Sequence, residues 1–205
     1  RWFLSYHPAS FAGLQVLLTA FCTRSELVAF AGLSAADLVA RVLVSKPTHL
    51  SGTPTFWRAL LLALDKQTPL PLRQITLGGE AVDQSILDAL RAAFPEARIV
   101  AIYASTEAGA LFAVKDGRTG FPAGWLRDGI EGCELRVADG VLQVRSPRAM
   151  RGYLGDAARR ALTDDGWLIT GDVVEVVGDR VEFCGRVDNV INVGGGKVMP
   201  EQVEA

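Results

Sequence analysis

The chain has 205 residues, of which 49% are hydrophobic and 21% are charged, a composition typical of a water-soluble globular protein. Its net charge of −2 argues against a nucleic acid or an anionic membrane surface as partner. The longest apolar helical run, residues 14–22, is too short to span a bilayer. Three widely spaced cysteines argue against a disulfide framework or a zinc site, and we expect a cytoplasmic protein.

The N-terminal part of the chain alternates between apolar strands and amphipathic helices. Ser10, Thr53 and Asp83 each precede a helical apolar pattern and are predicted N-caps. His49 is expected in a connecting loop with a structural role. The predicted strands are residues 3–7, 42–44, 72–77 and 99–102, and the predicted helices are residues 11–21, a short one opening at 34, 53–64 and 83–94.

Two polar segments follow consecutive predicted strands: Gly78-Gly79-Glu80, and residues 103–109 with the sequence YASTEAG. In a βαβ unit the strands are parallel, so both segments should open on the same sheet edge and form one cleft. A ring, two hydroxyls and a carboxylate suit a nucleotide with Mg²⁺. The alternative is a loop that caps a helix through Ser105 or Thr106. These residues alone leave both interpretations open.

After residue 117 the pattern changes to short alternating runs punctuated by glycine, which predicts antiparallel strands. Residues 173–177 and 180–184 flank Gly178-Asp179 as a hairpin. The predicted fold class is α/β: a parallel-sheet subdomain, then a small antiparallel β-barrel-like subdomain, then the start of an α+β lid domain. The expected boundaries are 1–117, 118–185, a hinge at 186–188, and a truncated small domain at 189–205.

Several short motifs occur in a fixed order along the chain. They are Gly78-Gly79-Glu80, Tyr103 to Glu107, Gly152-Tyr153, Asp165-Gly166-Trp167, Thr170-Gly171-Asp172 and Gly185-Arg186-Val187-Asp188. Each is weak alone, but the ordered set resembles the adenylate-forming superfamily of acyl- and aryl-CoA synthetases, nonribosomal peptide synthetase adenylation domains and luciferases. The resemblance covers nearly the whole chain.

The resemblance implies an enzyme that converts a small carboxylic acid and Mg-ATP into an acyl-adenylate and pyrophosphate. The acyl group then passes to a thiol, either of CoA or of phosphopantetheine on a carrier protein. An amino-acid substrate would be expected to need an Asp near residues 3–10, where none occurs, so amino acids are disfavoured.

The same resemblance assigns nucleotide contacts. Gly78, Gly79 and Glu80 would line the adenine pocket, and Tyr103 would stack on the base. Ser105 and Thr106 would bond phosphate oxygens, and Glu107 would hold Mg²⁺, which makes Thr106 and Glu107 the expected catalytic pair. The ribose contacts would come from Asp172, through both of its oxygens, and from Arg186.

Other positions match the acyl pocket and the moving parts of the family. His7 would line the acyl pocket together with Ala108 and Gly109. Asp188 matches the hinge residue, which need only change its backbone dihedral angles. The segment Gly194-Gly195-Gly196 resembles the thiolation loop.

Two family elements are expected outside the 205 residues: the phosphate loop before Arg1 and the adenylation lysine beyond Ala205. We therefore expect a piece of a longer enzyme that is inactive by itself. Three functions remain open: a CoA ligase, an adenylation domain that loads a carrier protein in peptide, polyketide or siderophore assembly, and a non-catalytic nucleotide-binding fragment.

Overall fold

The computed structural model describes residues 1–30, 32–64, 69–154 and 162–189, together with the backbone of 191–193 and 196–198. The chain divides into two structural units. Unit 1 comprises residues 1–103 and 113–118, and unit 2 comprises residues 104–112 and the chain from 119 onward.

A six-stranded sheet with four helices carries the N-terminal half of the chain. Its strand order is β2-β1-β3-β4-β5-β6, and β1 to β5 pair in parallel. The elements are β1 (Trp2–Leu4), α1 (Phe11–Cys22), β2 (Leu27–Val28), α2 (Ala35–Ser45), β3 (His49–Gly52), α3 (Pro54–Ala63), β4 (Gln74–Leu77), α4 (Gln84–Ala93), β5 (Arg98–Ser105) and β6 (Gly109–Val114).

The three predicted N-caps are confirmed. The Ser10 hydroxyl accepts from the backbone N–H of Gly13 at 3.1 Å, and the Asp83 carboxylate accepts from that of Ile86 at 3.0 Å. Thr53 caps α3 in the same way, directly before a proline at the first helical position. These helices begin where predicted because a cap is a local interaction.

The predicted strand at residues 42–44 is wrong, because these residues continue helix α2. Val39 and Val42 both point into the core at helical spacing, which outweighs the strand preference of β-branched side chains. The helix ends at Lys46, whose backbone is left-handed with φ 46°. The strand lies further along the chain as β3, so His49 is its first residue and the loop prediction for it is also wrong.

The core of unit 1 is formed where these helices pack on the sheet. Trp57 on α3 is fully buried, and its indole N–H donates to the carbonyl of Thr76 on β4 at 3.1 Å. Leu50, Ile75 and Leu90 are also fully buried in this cluster. A buried indole needs a partner for its N–H, and this bond ties α3 to the strand that leads into Gly78.

The segment after Tyr103 differs from the helix-capping interpretation. Strand β5 runs on through Ser105, a tight turn follows at residues 106–108, and strand β6 begins at Gly109. The Ser105 hydroxyl accepts from the N–H of Ala108 at 3.1 Å and so closes the turn. The predicted cap by Ser105 or Thr106 is wrong because the chain turns directly into a strand.

Unit 2 contains a five-stranded antiparallel sheet in the order β7-β11-β10-β9-β8. The predicted hairpin is confirmed, since Val177 pairs with Arg180 across Gly178-Asp179. The elements are β7 (Phe121–Pro122), α5 (Trp125–Asp128), β8 (Glu134–Ala138), β9 (Val141–Arg145), β10 (Leu168–Val177), β11 (Arg180–Arg186), a 3₁₀ helix (Val187–Asn189), β12 (Ile191–Val193) and β13 (Gly196–Val198). The predicted fold class, a parallel α/β part followed by an antiparallel β part, is confirmed.

Two arginines, one on β8 and one on β9, contact the ring of a single tryptophan, Trp167. The guanidinium carbons of Arg136 and Arg145 each lie 4.4 Å from the ring centroid of Trp167. Arg136 also donates to both oxygens of Asp165, at 2.8 and 3.2 Å, and holds the pKa of that carboxyl at about 2. The turn at residues 164–166 is therefore fixed on the sheet by cation–π and ionic contacts.

Within the described ranges, no helix combines the length and the apolar character required for a membrane crossing. The longest of them, α1, has 12 residues.

Candidate active site

The loop after β4 is anchored on both sides within unit 1. The N–H of Gly78 donates to the carbonyl of Gly52 at 3.3 Å, which continues the sheet pairing by one residue. The Glu80 carboxylate accepts from the backbone N–H of Thr55 at 2.9 Å and from its hydroxyl at 2.7 Å. Glu80 therefore binds the first turn of α3, where a negative charge is favoured.

Tyr6 contacts the same loop, although the sequence analysis did not identify it. Its hydroxyl donates to the carbonyl of Gly78 at 3.4 Å. Burial raises the pKa of the Tyr6 hydroxyl, a hydrogen bond with Ser51 opposes that rise, and the nearby charge of Glu80 adds to it. Tyr6 is thus a neutral donor at the loop expected to line the adenine pocket. The sequence signal for Tyr6 was its location near the end of the predicted strand 3–7, one residue before His7.

His7 lies at the junction between β1 and α1 and is exposed. Its ring Nδ1 accepts from the N–H of Ala9 at 3.2 Å, and its carbonyl accepts from the N–H and the hydroxyl of Ser10 at 2.9 and 2.7 Å. These bonds form the turn that starts α1, so His7 has a structural role. Its place in an acyl pocket stays a prediction.

Tyr103 and Ser105 both lie on strand β5, near its carboxyl end. In parallel α/β sheets this edge is where ligands bind. Gly78 follows β4 beside this strand, since Leu77 pairs with Ala101 and an added Cβ at Gly78 would lie 3.4 Å from the carbonyl oxygen of Ile102. Tyr103, near the end of β5, and the Gly78 loop, directly after β4, therefore lie at the same edge of two neighbouring parallel strands.

Glu107 occupies the turn between β5 and β6, and Tyr153 reaches it from a distant part of unit 2. The Tyr153 hydroxyl donates to Oε1 of Glu107 at 3.1 Å. Partial burial raises the pKa of Glu107, but hydrogen bonds from its own N–H, Tyr153 and Ser105, and the charge of Arg186, together hold that pKa below its ordinary value. Glu107 is therefore a carboxylate at neutral pH. The neighbouring Thr106 is exposed, and Ala108 is buried.

Asp172 and Arg186 form an ion pair across the β10–β11 ladder. Nη1 of Arg186 lies 2.9 Å from Oδ1 of Asp172, and the two residues are direct cross-strand partners. The N–H of Asp172 donates to the hydroxyl of Thr170 at 3.1 Å, and that hydroxyl donates to the carbonyl of Leu142 at 2.7 Å. In its pairing with β9, strand β10 shifts register between Ile169 and Val173, so Asp172 lies in a bulged part of β10.

The remaining predicted residues lie toward the end of the chain. Asp188 is the central residue of the 3₁₀ helix Val187–Asn189, directly after β11. Gly194 and Gly195 lie outside the described residues, whereas Gly196 begins β13, which pairs with β12.

The predicted site residues thus form two sets. In unit 1, Gly78, Gly79 and Glu80 lie with Tyr103 at one sheet edge, and Tyr6 joins them. In unit 2, Ser105 and Glu107 lie with Tyr153, and Asp172 pairs with Arg186 within electrostatic range of Glu107. Among the residues that the structure covers, no group of three or more His, Cys, Asp or Glu side chains could hold a metal by itself.

The chain is similar to known proteins both in sequence and in fold. A family model described as "AMP-binding enzyme" matches residues 1–154. The 4-coumarate--CoA ligase 1 of Solanum tuberosum is 30% identical over 193 residues, which cover 82% of this chain and 35% of that protein. The 4-coumarate--CoA ligase 1 of Glycine max is 28% identical over 178 residues, covering 71% of this chain and 58% of that protein.

A bacterial relative, 2-succinylbenzoate--CoA ligase of Salmonella typhimurium, is 29% identical over 159 residues, covering 77% of this chain and 33% of that protein. The chain therefore spans between about a third and three fifths of the length of these relatives.

Two solved structures share the fold. MatB from Rhodopseudomonas palustris with ATP bound has a TM-score of 0.77 at 23% identity, with 99% of this chain and 43% of that chain covered. O-succinylbenzoate coenzyme A synthetase (MenE) from Bacillus subtilis, in complex with ATP and magnesium ion, has a TM-score of 0.73 at 21% identity, with 100% and 45% covered. Because the family model matches about three quarters of the sequence, the chain belongs to the AMP-binding enzyme family.

Proposed function

We propose that the protein containing this chain activates a carboxylic acid with ATP and passes the acyl group to the thiol of CoA. In the first step a carboxylate oxygen attacks the α-phosphorus of ATP and pyrophosphate leaves. In the second step the thiol sulfur attacks the acyl carbonyl and AMP leaves with the former carboxylate oxygen. The observation that carries the proposal is the ionised Glu107. Its carboxylate accepts a hydrogen bond from Tyr153, and its pKa is lowered in part by the charge of Arg186, the ion-pair partner of Asp172.

Glu107 suits a magnesium ion that arrives with ATP. Mg²⁺ in proteins is commonly bound by one or two carboxylates plus substrate phosphates and water, so a lone carboxylate is sufficient. When bound, the ion would offset negative charge on the phosphate oxygens. Glu107 offers a carboxylate whose pKa is held low, so it would not need to lose a proton first.

The other residues supply binding and orientation. We propose that Ser105 and Thr106 donate to phosphate oxygens and that Asp172 accepts from the ribose hydroxyls. Arg186 would donate to the ribose or a phosphate, with its guanidinium already oriented by Asp172 at 2.9 Å. A charge-assisted bond of this kind is worth about 1.5–3 kcal/mol.

The base and the acid would bind near the end of β5. We propose that Gly78, Gly79 and Glu80 border the adenine, that Tyr103 stacks on it, and that His7, Ala108 and Gly109 border the acyl group. Support comes from the location of Tyr103 and Gly78 on neighbouring strands, and from Ala108, which is fully buried at the turn. The identity of the acid would follow from a substrate panel.

The proposal also includes the domain organisation: boundaries after residues 117 and 185, a hinge at 186–188, and a small domain that moves about this hinge. Asp188 would be the hinge, since it follows the last strand of the five-stranded sheet directly. Gly194, Gly195 and Gly196 would form the loop that approaches the acyl group for thiol transfer. CoA is favoured over a carrier-protein phosphopantetheine because the relatives named above are CoA ligases.

The test is ATP–pyrophosphate exchange by the full-length protein across a panel of aromatic and short aliphatic acids. At least one acid should support exchange, and CoA added with that acid should yield the thioester and AMP.

Asp172→Ala should weaken ATP binding, and Glu107→Ala should lower exchange by about a hundredfold. Glu175→Gln removes an exposed carboxylate of β10 and should leave exchange unchanged. Exchange with none of the acids, or wild-type exchange by Glu107→Ala, would contradict the proposal. Transfer to a carrier protein alone would replace CoA as the acceptor.

A further inference from the structure

The turn that carries Glu107 is held by residues far away in sequence. Tyr153 lies 46 residues beyond Glu107, and its hydroxyl donates to Oε1 of that carboxylate at 3.1 Å. Its side chain is 38% exposed, so it is not a core residue whose position is dictated by burial.

A second contact from the same segment reaches the main chain of Glu107. The backbone N–H of Met150 donates to the carbonyl of Glu107 at 2.7 Å. Residues 150–153 therefore hold both ends of one residue, its carbonyl through Met150 and its carboxylate through Tyr153. The Glu107 side chain, which has several rotatable bonds, is thereby restricted to one direction.

The backbone of the segment is shaped for this contact. Gly152, between the two contact residues, has φ +153°, a conformation that other residues rarely adopt. An added Cβ at Gly152 would meet nothing within 4 Å, so the glycine serves the chain direction rather than close packing. The direction of the chain at Gly152 is what brings the Tyr153 ring back to the turn.

We infer that Tyr153 is a positioning residue, which orients the Glu107 carboxylate for the magnesium ion of bound ATP. This inference rests on the proposed function of Glu107. Oriented groups bind an ion without paying for their own ordering at the moment of binding, so loss of the hydroxyl should weaken the magnesium contribution selectively. A contact that merely stabilises the fold would affect ATP binding with and without Mg²⁺ alike.

The decisive measurement is the affinity for ATP, without acid substrate, by titration calorimetry on the full-length protein. Each variant is measured once with excess Mg²⁺ and once with EDTA, and the ratio of the two dissociation constants is the magnesium increment. Tyr153→Phe removes only the hydroxyl. It should reduce the increment by about three- to tenfold and leave the EDTA value within twofold, since a hydrogen bond to a charged group at a partly exposed site is worth up to roughly tenfold.

Three further variants complete the test. Glu107→Gln should reduce the increment at least as much as Tyr153→Phe, and the double variant should show no further reduction, because both changes disable one unit. Leu154→Ala, at a neighbouring fully exposed side chain, should behave as wild type. In pyrophosphate exchange, Tyr153→Phe should lower kcat and raise the Mg²⁺ requirement while KM for the acid stays unchanged.

The possible failures are distinguishable. A wild-type increment in Tyr153→Phe, with the increment lost in Glu107→Gln, overturns the inference and leaves the role of Glu107 standing. Equal weakening with Mg²⁺ and with EDTA shows that the hydroxyl is a fold contact, and also overturns it. An unchanged increment in Glu107→Gln removes the proposed role of Glu107 and the inference with it. Melting temperatures of all variants verify that each is folded.

Discussion

Gly171, in the bulged part of β10, is where a single methyl group should disturb the Asp172–Arg186 pair. Its φ is +78°, and an added Cβ would lie 3.1 Å from Nη2 of Arg186. Carbon–nitrogen contacts at that distance are too short, so in Gly171→Ala the guanidinium must shift by a few tenths of an ångström. The bond that it gives to Asp172 at 2.9 Å would be lengthened or lost.

The size of the effect has two parts. Holding alanine at this φ costs about 1–2 kcal/mol, offset by about 0.4–1 kcal/mol from the reduced freedom of the unfolded chain. The expected net destabilisation is about 0–1.6 kcal/mol, which corresponds to a fall of at most a few degrees in melting temperature. If Arg186 contacts ATP, its displacement should also weaken ATP binding by about three- to tenfold, which is part of one charge-assisted bond.

Gly140→Ala is the matched control. Gly140 has φ +74°, nearly the same strain, but an added Cβ there meets nothing within 4 Å. Thermal melts of the full-length protein should show similar losses for both variants, whereas calorimetry should show weaker ATP binding for Gly171→Ala alone. Equal ATP affinities in the two variants would refute the reasoning that Arg186 reaches the nucleotide.

Three predictions concern stability. Asp83→Ala removes the N-cap of α4 and should destabilise unit 1 by about 0.5–2 kcal/mol in chemical denaturation. The control variant Asp88→Ala, on the exposed side of the same helix, should cost far less stability. Equal losses in the two variants would show that the cap is unimportant. Burial raises the pKa of Asp83, but hydrogen bonds from Ser85 and Ile86 and the charge of Arg58 outweigh burial and lower that pKa below 3.8. The ionised Asp83 therefore stabilises the folded state fully above pH 3.8, and this stabilisation is lost as the pH falls through the lowered pKa. The stability difference between wild type and Asp83→Asn should therefore shrink in acid denaturation, and a constant difference would contradict this. Trp57→Phe leaves the buried carbonyl of Thr76 without its indole donor and should cost about 1–3 kcal/mol, and a wild-type unfolding midpoint would show that the bond contributes nothing.

The parts of the fold that depend on neighbouring residues were predictable from the sequence. Ser10, Thr53 and Asp83 mark the helix starts correctly because capping involves residues only three apart. Residues 42–44 were misassigned because three apolar residues in a row fit a buried strand and a buried helix equally well. Only the packing of Val39 and Val42 on the same helix face decides between them.

The family was predicted correctly, since the order of short motifs is itself sequence information and the family model confirms it. The chain direction at Thr106 was not predicted, because a Ser-Thr-Glu run suits a helix cap and a tight turn alike. The contact between Tyr153 and Glu107 depends on how the intervening strands fold, and spacing in sequence carries no such information. The roles of the individual site residues stay predictions until variants are measured.

The anchoring of Glu107 by Met150 and Tyr153 has a consequence for folding kinetics. The segment between Glu107 and Met150 includes the complete hairpin of β8 and β9, so this contact closes a long connection. Closing so long a connection costs entropy that only late packing offsets, so this contact should be absent from the folding transition state. Tyr153→Phe is then expected to accelerate unfolding and leave the refolding rate unchanged, which stopped-flow measurements would detect. The Glu107 carboxylate would be among the last groups to acquire its final orientation as the chain folds.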